Sequence, residues 1–208
     1  MIDKEKSEII GLLCAEGCNF VSISTYYEWD RNRKKYYLRK NKRCERIDFS
    51  NTDARLAEHF RNLLIKCYGS SPKYTSLKVM IVRKKMIRDL LSYSKFGWNK
   101  WAVPKEILNG PRSVKTAFIR GLYEGDGTKL NWRGKQPYID FHMYNVGGLK
   151  KVRRMLEQLG IRSKLYESCT RLLMKGEDVE KFAKIIKPKY KSINMQGRRD
   201  TKALKRSG

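Results

Sequence analysis

The chain has 208 residues, with 47 Lys and Arg against 21 Asp and Glu and a formal charge of +26 spread from end to end. That length allows one large domain or two small ones, and the charge points to a polyanionic partner. No run approaches the roughly 18 apolar residues of a membrane span, and MIDKEKSEII lacks the features of a signal peptide, so a soluble intracellular protein without a membrane partner is expected. Cys14, Cys18, Cys44, Cys67 and Cys169 form no CxxC pair, and only His59 and His142 could assist them, which argues against a structural zinc site; the odd count argues against a disulfide framework, and most of the thiols are expected to be small buried hydrophobes.

The first element is a helix ending in SEIIGLLCAEG (7–17). FVSISTYYEWD (20–30) then alternates as a strand, with Val21, Ile23 and Thr25 on a core face and Ser22, Ser24 and Tyr26 on a polar one. The return strand, 31–49, carries Arg31, Arg33, Lys34, Lys35, Arg39, Lys40, Lys42 and Arg43. IDFSN (47–51) leads into an amphipathic helix with Leu56, Phe60, Leu63 and Leu64 at helical spacing. Two strand-like runs (73–82) and a third helix (83–93) complete a first half, 1–94. Residues 95–112, rich in Trp, Gly and Pro, read as a packed linker.

The same series then recurs. AFIRGLYEGDG (117–127) is followed by a shorter hairpin bearing Lys129, Asn131, Arg133, Lys135 and Gln136. FHMYN (141–145) precedes a helix with Leu149, Val152, Leu156 and Leu159, and strands over 162–168 and 171–175 and a helix over 176–186 close a second half, 113–190. Residues 191–208 form a basic, polar tail.

The two motifs align at an offset of 110 (121 minus 11): Gly11 with Gly121, Ala15 with Gly125, Glu16 with Asp126, Gly17 with Gly127. Aligning Asn51 with Asn145 gives an offset of 94, so 16 extra residues are expected in the first hairpin (110 minus 94). A helical glycine costs about 1 kcal/mol relative to alanine. Small residues four apart lie on one helix face, so each motif offers a groove through which two helices can meet at backbone contact. That packing brings Glu16 and Asp126 together at helix C-termini, where the dipole and mutual repulsion oppose joint ionisation. A hard divalent cation such as Mg²⁺ relieves the conflict and is suited to phosphodiester hydrolysis.

IIGLLCAEG (9–17) and IRGLYEGDG (119–127) resemble the nine-residue signature of the LAGLIDADG homing endonucleases, in their single-chain, two-motif form. The resemblance implies an α+β fold of two pseudo-symmetric αββαββα halves packed through their motif helices, with antiparallel sheets forming a saddle over double-stranded DNA. It further implies a monomeric, intron-encoded nuclease making a staggered cut in a long site, with Mg²⁺ as cofactor, Mn²⁺ able to substitute and Ca²⁺ supporting binding without cleavage. The family's metal ligands fall on Glu16 and Asp126, with Ala15 and Gly125 at the same helix ends. Asn51 and Asn145 match positions that orient water. The family's lysines are placed at Lys100 and Lys189, with Lys95, Lys187 and Lys191 as rivals, and Arg55 is a candidate for contact near the scissile phosphate. Cys14 stands where an acid is usual and Glu16 where Asp is usual.

An enlarged first hairpin and a short second one would read two unequal half-sites, Arg and Lys favouring guanine and Asn and Gln adenine. The alternative is an intron RNA-splicing maturase or DNA-binding protein of the same fold without nuclease activity, with intron RNA as partner.

Overall fold

The computed structural model describes residues 2–193, so residues 194–208 of the expected basic tail lie outside the described residues. The first half runs α1 (Lys4–Glu16), β1 (Gly17–Asp30), β2 (Lys35–Ser50), α2 (Ala54–Tyr68), β3 (Lys73–Thr75), β4 (Lys78–Ile81) and α3 (Lys84–Tyr93). A short α4 (Lys105–Leu108) interrupts the connection, and the second half repeats as α5 (Arg112–Asp126), β5 (Asn131–Arg133), β6 (Gln136–His142), α6 (Val146–Gln158), β7 (Lys164–Tyr166), β8 (Arg171–Lys175) and α7 (Glu177–Ile186). Each half contributes one antiparallel four-stranded sheet, ordered β1-β2-β4-β3 and β5-β6-β8-β7. The expected pair of αββαββα units is therefore present.

Local chemistry sets the element ends. Asp3 caps α1 by accepting from the Lys6 amide at 2.7 Å, Asp53 caps α2 through the Arg55 amide at 3.0 Å, and Gly69 ends α2 at φ +61°. Apolar faces of α1, α2, α5 and α6 meet the inner faces of both sheets in one continuous core, in which Leu12, Phe60, Phe118, Phe141 and Phe182 are fully buried. The segment between the halves belongs to that core through Phe96, Trp101, Val103 and Ile107.

The motif helices touch through their backbones. A Cβ on Gly11 would stand 2.2 Å from the Phe118 carbonyl oxygen, and one on Gly121 would stand 2.3 Å from that of Glu8. One turn on, a Cβ on Gly125 would meet the Ala15 methyl at 2.4 Å. Ser7 Oγ also donates to the Val114 carbonyl at 2.8 Å across the pair.

Strand register corrects the expected internal alignment. Gly17 pairs with Phe49 and Gly127 with Phe141, and the N-caps of α2 and α6 are Asp53 and Asn145. Both pairs give an offset of 92 (141 minus 49; 145 minus 53), so the first hairpin is longer by 18 residues (110 minus 92). Asn51 is the counterpart of Met143, a buried apolar residue, and Asn145 is the counterpart of the capping Asp53. The asparagine shared by IDFSN and FHMYN misled the alignment because a helix cap and a strand end both favour short polar side chains.

The extra residues make β1 and β2 a ribbon that overhangs the body. Ile47 and Phe49 at its base are buried, whereas Val21 and Ile23, expected on a core face, are exposed with Tyr27, Trp29, Tyr36 and Leu38. The alternation is as expected, but no helix extends far enough to cover it. Of the cysteines only Cys14 is buried; Cys18, Cys44 and Cys169 are exposed and Cys67 is half-buried, so the expectation of mostly buried thiols fails.

Gly11→Ala and Gly121→Ala should each destabilise the chain by about 3 kcal/mol or more in urea unfolding, because the added methyl meets a backbone carbonyl that cannot rotate away. Gly147→Ala, whose methyl would find only Asn145 Oδ1 at 3.6 Å, should stay within about 0.5 kcal/mol of the parent.

Candidate active site

α1 and α5 each run straight into a sheet, α1 through Gly17 into β1 and α5 through Gly127, which bridges to β6 at Phe141. Because the helices touch at Gly125 and Ala15, the next residues, Glu16 and Asp126, emerge together at the junction of both sheets. Burial raises the pKa of Glu16 and the neighbouring Asp126 charge raises it further; burial likewise raises Asp126. Asn51 opposes the shift at Glu16 by donating its amide to Oε1 at 2.9 Å, while its own Oδ1 is held by the Asp53 amide at 2.8 Å.

One lysine lies within charge range of both acids. The Lys191 Nζ donates to the carbonyls of Gly125 at 2.6 Å and Gly127 at 2.8 Å, on either side of Asp126, without a direct ion pair to Glu16 or Asp126. Burial lowers its pKa, against the pull of Asp126 and Glu16. Its place is fixed by Glu124, a buried motif residue whose carboxylate accepts the backbone amides of Lys189, Tyr190 (3.0 Å) and Lys191 (2.9 Å). Lys189, expected at the site, contributes only that amide and is exposed; Lys187 is exposed as well. The side chains of Lys95 and Lys100 are also exposed, and neither forms an ion pair or side-chain hydrogen bond among the described residues. The repeats differ here because Cys14 replaces the acid: the segment after α3 is tied instead by Ser94, whose hydroxyl accepts from Ala102 at 2.9 Å and donates to Lys95 at 2.9 Å.

Other expected site residues divide. Asn145 is not paired with Asp126; its Oδ1 caps α6 through Gly148 at 2.8 Å and its amide donates to the Trp101 carbonyl, so it anchors the connection to α6. Arg55 folds back on Asp53 in a two-point ion pair, 3.0 and 2.7 Å, with its guanidinium 5.9 Å from the Tyr190 ring. Below the acids, buried Glu8 receives His59 at 2.8 Å and Arg120 at 3.0 Å, and Arg120 also donates to the Ile186 carbonyl at 2.8 Å, locking α1, α2, α5 and α7 together. That clamp was not legible in the sequence, since Glu8 and Arg120 lie 112 residues apart; the role of Glu124 was missed too, although it is an acid in the motif beside Asp126.

The sheet faces turned away from the helices carry the polar residues. In the first sheet Ser22 pairs with Cys44, Ser24 with Lys42, Tyr26 with Arg39 and Asp30 with Lys35, which places Ser22, Ser24, Tyr26, Lys35, Arg39 and Lys42 on one face. Arg43 instead pairs with Ile23 and belongs to the opposite, helix-side face, contrary to its expected grouping. Arg31, Arg33 and Lys34 form the exposed tip, and Lys40 is exposed beside the register shift between Ser24 and Tyr26. In the second sheet Asn131, Arg133 and Gln136 share the outer face with Tyr138, while Lys129 and Lys135 flank the strands. Equivalent acids sit on both faces: Asp48 holds Arg46 (3.0 Å) and Lys78 (2.9 Å), and Asp140 holds Arg171.

Two carboxylates with raised pKa values at adjoining helix ends have the donor chemistry of a divalent-cation site completed by phosphate and water. Among the described residues no cluster of three or more His, Cys, Asp and Glu offers another. Of the expected ligands, Glu16 and Asp126 fit; the Gly125 carbonyl is already bonded to Lys191. No helix among the described residues is long and apolar enough to cross a membrane.

Residues 113–187 match the family model for a LAGLIDADG-like domain. No curated protein matches the chain. Among solved structures, the homing endonuclease I-DmoI in complex with DNA and Ca is similar at 16% identity and a TM-score of 0.56, over 98% of this chain and 97% of that one. A complex of I-DmoI with DNA and Mn gives 17% and 0.54, over 88% and 96%. The N-terminal LAGLIDADG domain of WhiA gives 16% and 0.53, over 90% and 86%. The chain thus has a LAGLIDADG-like domain at residues 113–187 and, across its described length, the two-repeat fold of the single-chain LAGLIDADG homing endonucleases.

Proposed function

We propose that the protein is a monomeric, intron-encoded, site-specific DNA endonuclease that makes a staggered cut by metal-dependent hydrolysis. The observation that carries this reading is the pair Glu16 and Asp126, half-buried at the meeting of two helices, both held above the ordinary carboxylate range by burial and Glu16 further by the Asp126 charge, with the Lys191 ammonium close by on the Gly125 and Gly127 carbonyls. A protein that only bound DNA would gain nothing from converging acids whose ionisation the fold opposes. Residues 1–94 and 113–190 each address one half of a duplex site through the outer face of their sheet, joined by 95–112.

Glu16 and Asp126 hold the divalent cation, Mg²⁺ by preference with Mn²⁺ as substitute. The bound cation supplies Lewis-acid stabilisation of charge developing on the phosphate. Asn51 keeps the Glu16 carboxylate turned toward its partner, Glu124 holds the segment bearing Lys191, and Lys191 places a positive charge beside the phosphate oxygens. Lys42, Arg39, Ser22, Ser24 and Tyr26 on the long ribbon, and Asn131, Arg133 and Gln136 on the short one, meet the major groove; Arg31, Arg33, Lys34, Lys35, Lys40, Lys129 and Lys135 add backbone and flanking contacts.

Three outcomes are expected. Glu16→Gln and Asp126→Asn should bind duplex DNA with Ca²⁺ as the parent does and lose cleavage with Mg²⁺, read by gel shift and by sequencing cut ends from a randomised duplex library. Retained cutting in either variant would end the assignment, and binding without cutting by the parent would favour the maturase or DNA-binding alternative. A carboxylate raised above its ordinary value, 4.5 for Glu16 and 3.8 for Asp126, keeps its proton longer in the native state, so stability is greatest below those values and falls as pH rises through the native pKa. Both variants should therefore melt higher than the parent at pH 7.5, with the gain vanishing near pH 4. Mg²⁺ or Ca²⁺ should raise the melting temperature of the parent and leave the double variant unmoved.

A further inference from the structure

The helix-side face of the overhanging ribbon has no role in reading duplex DNA on the opposite face. Along β1 it presents Val21, Ile23, Tyr27 and Trp29, and register brings Arg43 beside Ile23, Leu38 beside Tyr27 and Tyr36 beside Trp29. Ile23 and Tyr27 are each 69% exposed and Tyr36 68%, and the rings of Trp29 and Tyr36 meet edge to face at 5.0 Å. From Ile23 to Trp29 the platform runs about 20 Å at strand rise. At its base, where β4 ends and leaves β2 without a neighbour, a cleft of about 500 Å³ opens between the ribbon and α3. It lies at the open edge of β2, lined from the helix side by Arg43, Glu45, Lys84 and Arg88 and from the outer face by Phe20, Cys44 and Arg46, the last already paired with Asp48. Arg43, Lys84 and Arg88 form no ion pair among the described residues.

Exposed aromatics on a strand ribbon that lead into a cationic cleft combine the two elements that grip an unpaired strand: π-faces for unstacked bases and cations for phosphate. We infer that this face binds single-stranded nucleic acid, bases stacking on Tyr27, Trp29 and Tyr36 while the phosphate chain enters the cleft at Arg43, Lys84 and Arg88. Charge selects this occupant over the others. A second copy would bring another chain of formal charge +26 against Arg31, Arg33 and Lys34 at the ribbon tip, and the chain's own residues 194–208 carry Arg198, Arg199, Lys202, Lys205 and Arg206 against one acid, Asp200. A polyanion with flat apolar faces satisfies both halves of the surface. The inference is independent of the nuclease reading.

The test uses the full chain and fluorescein-labelled twelve-nucleotide oligo-U and oligo-dT, followed by anisotropy at several salt concentrations, with random-sequence duplex measured alongside. Tyr27→Ala/Trp29→Ala/Tyr36→Ala should weaken oligonucleotide binding about tenfold or more, since each stacked base is worth that order. Lys84→Ala/Arg88→Ala, which leaves the ribbon untouched, should weaken it severalfold and reduce the salt slope. Duplex affinity should change by less than about twofold in both. Preference for the ribose or deoxyribose oligomer names the source of the strand, and either supports the inference. Unchanged single-strand affinity in the aromatic variant, full displacement of the oligomer by duplex, or a change of oligomeric state in that variant overturns it. A parent that binds oligomers but not duplex would strike the endonuclease reading and leave this one standing.

Discussion

Everything in the molecule hangs on the contact between α1 and α5 at Gly11 and Gly121. With no side chain between them, each helix rests on the other's carbonyl groups, so their separation and rotation are set by backbone atoms alone. That contact determines where both helices end, and therefore how near Glu16 comes to Asp126. It also joins the two sheets, because each motif helix passes directly into its own half. The penalty of two helical glycines, about 1 kcal/mol each relative to alanine, is offset by a close approach that larger residues would prevent.

Around this symmetric centre the two halves diverge in chemistry. Glu124 gathers three consecutive amides and sets Lys191 over the Gly125 and Gly127 carbonyls. At the matching place in the first half Cys14 is a buried thiol, burial pushes its pKa far up, and Ser94 ties the chain instead. Asn51 supports Glu16, whereas Met143 stands at the equivalent position beside Asp126. The centre is therefore a composite: an amide from one half and an ammonium from the other steady a pair of acids that the fold holds in a costly state.

Much of this was legible in the sequence, for reasons that can be named. Helix faces such as Leu56, Phe60 and Leu63 announce themselves because burial imposes a 3.6-residue period, and a motif occurring twice carries far more information than one. The acid pair followed from the glycines. Three things were not legible. Asn145 looked like the partner of Asn51 because composition cannot tell a capping asparagine from one that supports a carboxylate; register alone does. In the sequence Lys191 ranks as a rival of Lys189, because nothing local separates neighbouring lysines, and only the fold places it near Glu124 and Asp126. Val21 and Ile23 carried the alternation of a buried face, but whether a helix reaches them depends on the length of the ribbon relative to the body, which no local pattern encodes.

That ribbon gives the molecule a polarity its core lacks. β1 and β2 have 14 and 16 residues where β5 and β6 have 3 and 7. The helix pair looks much the same when turned end for end, so the centre alone could not distinguish the two directions along a ligand with two-fold character, such as a duplex. The unequal arms can, since reversal would exchange a long lever for a short one and leave half the grip unfilled. Direction is thus decided far from the acids, by reach, and the arms can change what they hold without disturbing the distance between the carboxylates.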